Sequence, residues 1–347
     1  MTRLRLRKND PLRGMTAEFK KLPWPGRIER DVVFRYGDFY QSVVFNALYR
    51  RQATFKGDFV FHYTSVDVFK KLIAPGADLL MTRYNELNDD SEFEYGWLQI
   101  ISALEWQCGI PKGKTELFIC EKKNICAEGA WIPWIMSFSE FPDALSQWGM
   151  YTDRKRGGCS IAFDFREMNY TVEKLRMDEN RRFDVYFLPC LYDRHEINRV
   201  WKLWCEQHRV ELGKIASLTY RELKAQRADI TQPLMPDLLM LAAIIKHQGF
   251  EAEHEWRLMV RSKSIAEDIS SVFPFILNGK HRYGFNMCFA KTKPIYTMKW
   301  IRGVGASPQP VKSLYDRFWE LFDDFCNAGR KQWETGAWMS EIPYNGK

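Results

Sequence analysis

At 347 residues, 46% of them hydrophobic and 15% aromatic, the chain is long and apolar enough to bury one large core or two smaller ones, which excludes an intrinsically disordered protein. Its net charge of +7 lies mostly in residues 1–30, where nine Lys and Arg face three acidic residues; elsewhere 42 basic residues balance 41 acidic ones. The body is close to neutral, so any phosphate contact driven by charge falls to the N-terminal arm.

The longest fully apolar run, Leu238 to Ile245, is far shorter than the ~20 residues that span a bilayer. The opening Met-Thr-Arg-Leu-Arg-Leu-Arg-Lys lacks the apolar core of a signal peptide, so a cytoplasmic location without membrane association is expected. The eight cysteines are scattered and form no Cys-x-x-Cys pair. They are expected as buried thiols rather than as a zinc site or a disulfide framework.

After the basic arm, apolar residues at helical spacing predict a helix over 38–51. Asp58 to Tyr63 predicts a buried strand, followed by a helix from Val66 to Ile73 with Thr64 or Ser65 as its cap and Asp67 placed for a capping box. His62 then sits at a strand end, where ligand contacts gather, although a histidine satisfied by backbone in the core fits the same pattern. Leu79 to Met81 predicts a second strand. Asn88 and Asp89 are natural caps for an amphipathic helix from Phe93 to Trp106. Residues 108–130 carry no clear pattern.

Trp134 to Ser139 predicts a strand with Ser137 and Ser139 on one face, then a helix over 144–151 and a strand over 157–164. Phe183 to Tyr192 alternates as a strand. Two helices are expected over 195–227 and 234–246, the first with Trp201 and Trp204 turned into the core, and Gly249 ends the second. Glu251, Glu253 and Glu255 then fall at alternate positions, which predicts three carboxylates on one side of a pleat running into the strand Glu255 to Val260. Such repulsion is tolerated if all three are solvated on an edge strand, or if a cation, a hydroxyl-bearing substrate or a shared proton holds them together. A strand over 299–305 and a helix over 311–326 close the chain. The expected organisation is an arm and helix over 1–55, an α+β domain over 56–308 with a helical insertion at about 193–248, and a C-terminal helix and tail over 309–347.

His62-Tyr63-Thr64, Asn88-Asp89-x-x-Glu92, Ser137-Phe138-Ser139, Asp143-x-Leu145-Ser146-x-Trp148-x-x-Tyr151, Gly158-x-x-Ile161-x-Phe163-Asp164 and Phe250-x-x-Glu253-x-Glu255-Trp256-Arg257 follow one another in this order. The ordered set resembles the bacterial domain-of-unknown-function 2971 family over about residues 58–305. A looser resemblance, of a ring-anchoring residue on the first strand, a Ser-x-Ser strand and a Glu-x-Glu segment, is to mono-ADP-ribosyltransferases. That resemblance implies an α+β fold with a mixed split β-sheet and flanking helices, and NAD as substrate. It implies that His62 grips a ribose, Ser137 and Ser139 buttress the nicotinamide pocket, Tyr63 or Tyr151 stacks on the ring, Glu255 binds the ribose hydroxyl and Glu253 orients the acceptor. Thr64 and Arg257 complete the implied binding set, and no metal is needed. Ionised Glu255 would stabilise an oxocarbenium-like ribose while Glu253, raised in pKa by its neighbour, acts as base. The function expected is ADP-ribosyl transfer to a protein or nucleic acid, or NAD glycohydrolysis, by a toxin or phage-defence effector. Two other readings stand beside it: a non-enzymatic protein- or RNA-binding module, and a metal-dependent nuclease using the Glu251 to Glu255 carboxylates with Asp89 and Asp90.

Overall fold

The computed structural model describes residues 48, 55–73, 79–84, 91–128, 133–151, 158–177, 183–262, 272–277, 280–287, 301–307 and 336–339. The chain divides into two compact units, Met1–Phe55 and Lys56–Lys347. Of the first unit only Leu48, within a helix, and Phe55 are described. The basic arm, the rest of the helix expected over 38–51, the caps Asn88 and Asp89, Asp90, and the helix expected over 311–326 lie outside the described residues.

The larger unit is mixed α+β. Its described strands are β1 (Phe59–Ser65), β2 (Leu79–Arg83), β3 (Trp134–Ser139), β4 (Gly158–Asp164), β5 (Phe183–Pro189), β6 (Glu255–Ser262), β7 (Val272–Leu277), β8 (Lys280–Met287), β9 (Ile301–Ala306) and β10 (Gly336–Met339). All join one sheet, running β10-β9-β4-β1-β3-β2-β8-β7, with β6 on β3 and β5 on β6. Only β9 with β10 pairs in parallel. The C-terminal segment, expected as helix and tail, thus returns a strand to the sheet.

The sheet forks at β3. One edge of β3 pairs with β6 along its whole length, from Trp134↔Val260 to Ser139↔Glu255. The other edge is shared: β2 takes Trp134 and Ile135, and β1 takes Ser139 alone. Paired residues in an antiparallel ladder point to the same side. Phe61, Ser139 and Glu255 therefore form one row across three strands, with Ser137 and Arg257 beside them.

Helices cover both faces. On the Glu255 side, α4 (Leu145–Tyr151) sets Trp148 and Tyr151 against Phe61, Tyr63 and Ala162. On the other side, Phe165 at the start of α5 (Phe165–Met177) meets Phe187 and Trp256, and Phe138 meets Phe163 and Phe187. The remaining described helices are α1 (Val66–Ile73), α2 (Ser91–Trp106), α3 (Lys112–Glu128), α6 (Arg194–Gln207), α7 (Arg209–Ser217), α8 (Tyr220–Ala225), α9 (Arg227–Ile230) and α10 (Met235–Ala242). Ser65, not Thr64, caps α1 by accepting from the Val68 N–H at 3.3 Å. Between β5 and β6 the two long helices expected are broken into five, because Thr219 opens a new helix with a capping box and Pro233 and Pro236 interrupt the ladder. Trp201 and Trp204 are buried as expected for core. Gly96 lets α2 touch α10: a Cβ there would lie 2.2 Å from the Ala242 carbonyl oxygen. Cys108 and Cys205, expected as thiols, are joined as a disulfide, whereas Cys159 and Cys190 are buried thiols.

Candidate functional site

Where α10 ends, the chain turns back to the sheet. Leu191 and Ile245 make an isolated bridge, and the Lys246 N–H donates to the Leu191 carbonyl at 2.9 Å, which fixes the lysine under the row containing Glu255. Its Nζ sits at the centre of three carboxylates, 2.6 Å from Glu253 Oε2, 2.7 Å from Glu255 Oε2 and 3.1 Å from Glu92 Oε1. Arg257 joins from β6, its Nε donating to Glu255 Oε1 at 2.7 Å and Nη2 to Glu255 Oε2 at 3.2 Å. The guanidinium also pairs with Glu92 and donates to the Ala243 carbonyl. All five side chains are at most 10% exposed. Three carboxylates against two cations leave one negative charge buried, an arrangement tolerated only when nearly every lone pair and proton is hydrogen-bonded.

The cluster splits its own acids. Burial works to raise the Glu255 carboxyl, but Arg257 and Lys246 outweigh it and hold it down at about 2. Burial raises Glu253, and the single ion pair with Lys246 does not reverse this. Burial likewise lowers Lys246, yet Glu255 and its neighbours more than restore the charge. Glu255 is therefore a fixed anion with both oxygens occupied. Glu253 keeps Oε1 without a partner among the described residues. Tyr151 stands nearby with its hydroxyl also unpartnered there, its pKa raised by burial and then by Glu255 and Glu253. Ser137 presents a second hydroxyl without a partner among the described residues, on the same side of the sheet.

The structure separates residues that the sequence suggested would meet. His62 follows Phe61 on β1 and so points to the face opposite Glu255, where its ring lies against Phe138 at 5.7 Å. The expectation that His62 and Glu255 grip one sugar is corrected by this alternation. His62 Nδ1 instead lies 2.8 Å from the Ser137 carbonyl, inside the gap that the fork leaves between the β1 and β2 pairings of β3. A carbonyl only accepts, so Nδ1 carries the proton and the imidazole replaces a missing ladder bond. Thr64 shares the His62 side. Tyr63 is on the Glu255 side, but its hydroxyl is spent: it donates to the Phe141 carbonyl at 2.8 Å and accepts from the Ala144 N–H at 2.9 Å. Ser139 Oγ donates to the Glu253 carbonyl at 2.8 Å and accepts from the Phe141 N–H, so it positions the Glu253 turn rather than a ligand.

The three-carboxylate pleat is also corrected. Gln248–Glu253 is a 3₁₀ turn, and His254 takes a left-handed conformation with φ 43 before β6 begins. The turn exposes Glu251 and brings only Glu253 and Glu255 inward. Lys246, Glu92 and Tyr192, whose hydroxyl accepts from the Glu255 N–H at 3.0 Å, were not singled out as site residues. The hint for Lys246 was a charge placed directly after the apolar run Leu238 to Ile245. The nuclease arrangement does not assemble among the described residues: no group of three or more candidate ligands is placed for a metal, and the ammonium of Lys246 fills the space between the carboxylates.

No described helix is long and apolar enough to cross a membrane. No curated protein and no solved structure matches the chain. The family model described as a protein of unknown function (DUF2971) matches residues 147–258, a stretch that holds Tyr151, Lys246, Glu253, Glu255 and Arg257, and this match supports the resemblance to that family.

Proposed function

We propose that the face carrying Tyr151, Glu253 and Glu255 cleaves the nicotinamide–ribose bond of NAD, passing ADP-ribose to an acceptor or to water. The observation behind this reading is the buried surplus of negative charge together with the open oxygen of Glu253. Cleaving an N-glycosidic bond builds positive charge on the ribose, and a fixed anionic environment lowers that barrier. In this reading Glu253 deprotonates the acceptor or water, Glu255 with its two cations holds the field in place, and Tyr151 and Ser137 bind the ribosyl nicotinamide. His62 has no part in it, and Arg257 acts only through Glu255. A toxin or phage-defence role in the cytoplasm belongs to the same proposal.

The test is nicotinamide release from labelled NAD by the full chain, with and without chelator and with protein, DNA or RNA acceptors. Glu253→Gln is expected to lower release by about 10²-fold or more, in keeping with loss of a general base, with folding unchanged by circular dichroism. Chelator is expected to have no effect. The saturation of Glu255 by Arg257 and Lys246 favours a second reading, a protein- or RNA-binding module in which the cluster only braces the fold. Absence of release with every acceptor puts that reading first.

A further inference from the structure

A cavity of about 540 Å³ lies between α2 and α6, and Tyr192, whose hydroxyl accepts from the Glu255 N–H, is part of its lining. That is within the range of small-molecule sites. Its lining contains no Asp or Glu, and its single formal charge is Arg194, which has no ion-pair partner among the described residues. Tyr95, Trp106 and Tyr192 supply aromatic walls, and Trp106 stands 84% exposed at the rim. Trp201 in the wall is 1% exposed, and its indole N–H has no hydrogen-bond partner among the described residues. Buried donors are rarely left in that state. His247 Nδ1 accepts from the Gly249 N–H at 3.0 Å, so the neutral ring carries its proton on Nε2 as a further donor in the lining.

We propose that this cavity binds a nucleoside monophosphate. Arg194 takes the phosphate, because it is the one cation in a wall free of carboxylates. The base stacks on one of the Tyr95 and Trp106 rings, which lie about three turns apart on α2, a contact that any base can make. The indole of Trp201 and the Nε2 donor of His247 meet acceptors on the sugar or base. A neutral sugar fits less well, since the lining has no carboxylate to gather its hydroxyls. The Gln107 amide donates to Asn198 Oδ1 at 2.9 Å and ties α2 to α6 across the cavity. This site is independent of the ribosyl chemistry proposed above.

Isothermal titration of the full chain with AMP, GMP, CMP and UMP tests it. At least one is expected to bind with a dissociation constant below about 1 mM. Arg194→Gln is expected to weaken that binding about tenfold or more, the worth of one charged hydrogen bond, and to leave the affinity for the matching nucleoside unchanged. Ser102→Trp, at an exposed position of the lining, is expected to abolish binding while circular dichroism stays that of the wild type. Glu253→Gln is expected to bind as the wild type does. Lack of saturable binding by all four nucleotides overturns the proposal, as does wild-type affinity in either Arg194→Gln or Ser102→Trp. Failure of nicotinamide release leaves this titration unaffected, so the two proposals fail separately.

Discussion

Lys246 is the residue on which the acidic cluster depends, because its ammonium touches all three carboxylates. Lys246→Met keeps the length of the side chain but leaves Glu253 without its only hydrogen-bond donor and Arg257 facing three acids. Removing one partner from a buried ion cluster costs about 3–5 kcal/mol, so the unfolding free energy read from urea titration is expected to fall by that amount. Adding Glu253→Gln is expected to recover part of the loss, since it removes the charge left bare; full additivity of the two changes would show that the pair is not coupled. From the sequence, the acidic side of this site was legible at Glu253 and Glu255. Of its cationic half Arg257 was named, as a binding residue, but Lys246 was not, because a lysine at the end of an apolar run reads as an ordinary helix end.

Elements were legible where a short apolar run is bounded by turn residues or apolar residues recur at helical spacing. Strands β1, β3 and β4 and helices α1 and α2 follow their apolar periodicity closely, with small shifts at the ends. The helix α3 was not foreseen, since Leu117, Phe118 and Ile125 are its few buried apolar residues amid lysines and glutamates. The alternation of Glu251, Glu253 and Glu255 imitated a strand because a 3₁₀ turn also reverses side after a few residues, and only the left-handed His254 marks the change. Packing between elements is invisible to periodicity, as Gly96 shows. Gly96→Ala would favour helix formation in α2 taken alone, yet it drives a methyl into the Ala242 carbonyl. The expected outcome is net destabilisation by about 1–3 kcal/mol, read as a lower thermal midpoint, with rising stability as the contrary result.

Across the whole molecule, the fork in the sheet makes His62 a structural group whose charge matters. Burial lowers its pKa, opposed by the bond to the Ser137 carbonyl. A histidine depressed in the folded state stays neutral while the unfolded chain takes up its proton, so stability is full above the ordinary value near 6.5 and falls as pH drops below it. Unfolding midpoints are therefore expected to decrease between pH 7.5 and the folded value of His62. His62→Gln, which keeps a donor for the carbonyl, is expected to flatten that slope; an unchanged slope would assign it to other groups. The reading of His62 as a core histidine satisfied by backbone anticipated this role, but which strands compete for one edge of β3 was not readable beforehand.

That shared edge also divides the mechanical strength of the molecule. The wing containing β2 is paired to β3 at two residues and the wing containing β1 at one, so neither pairing runs through the other. A force that pries at the β1 end of β3 thus loads one sheet pairing, the His62 imidazole and the Tyr63 hydroxyl, while the β6 side stays zipped along its full length.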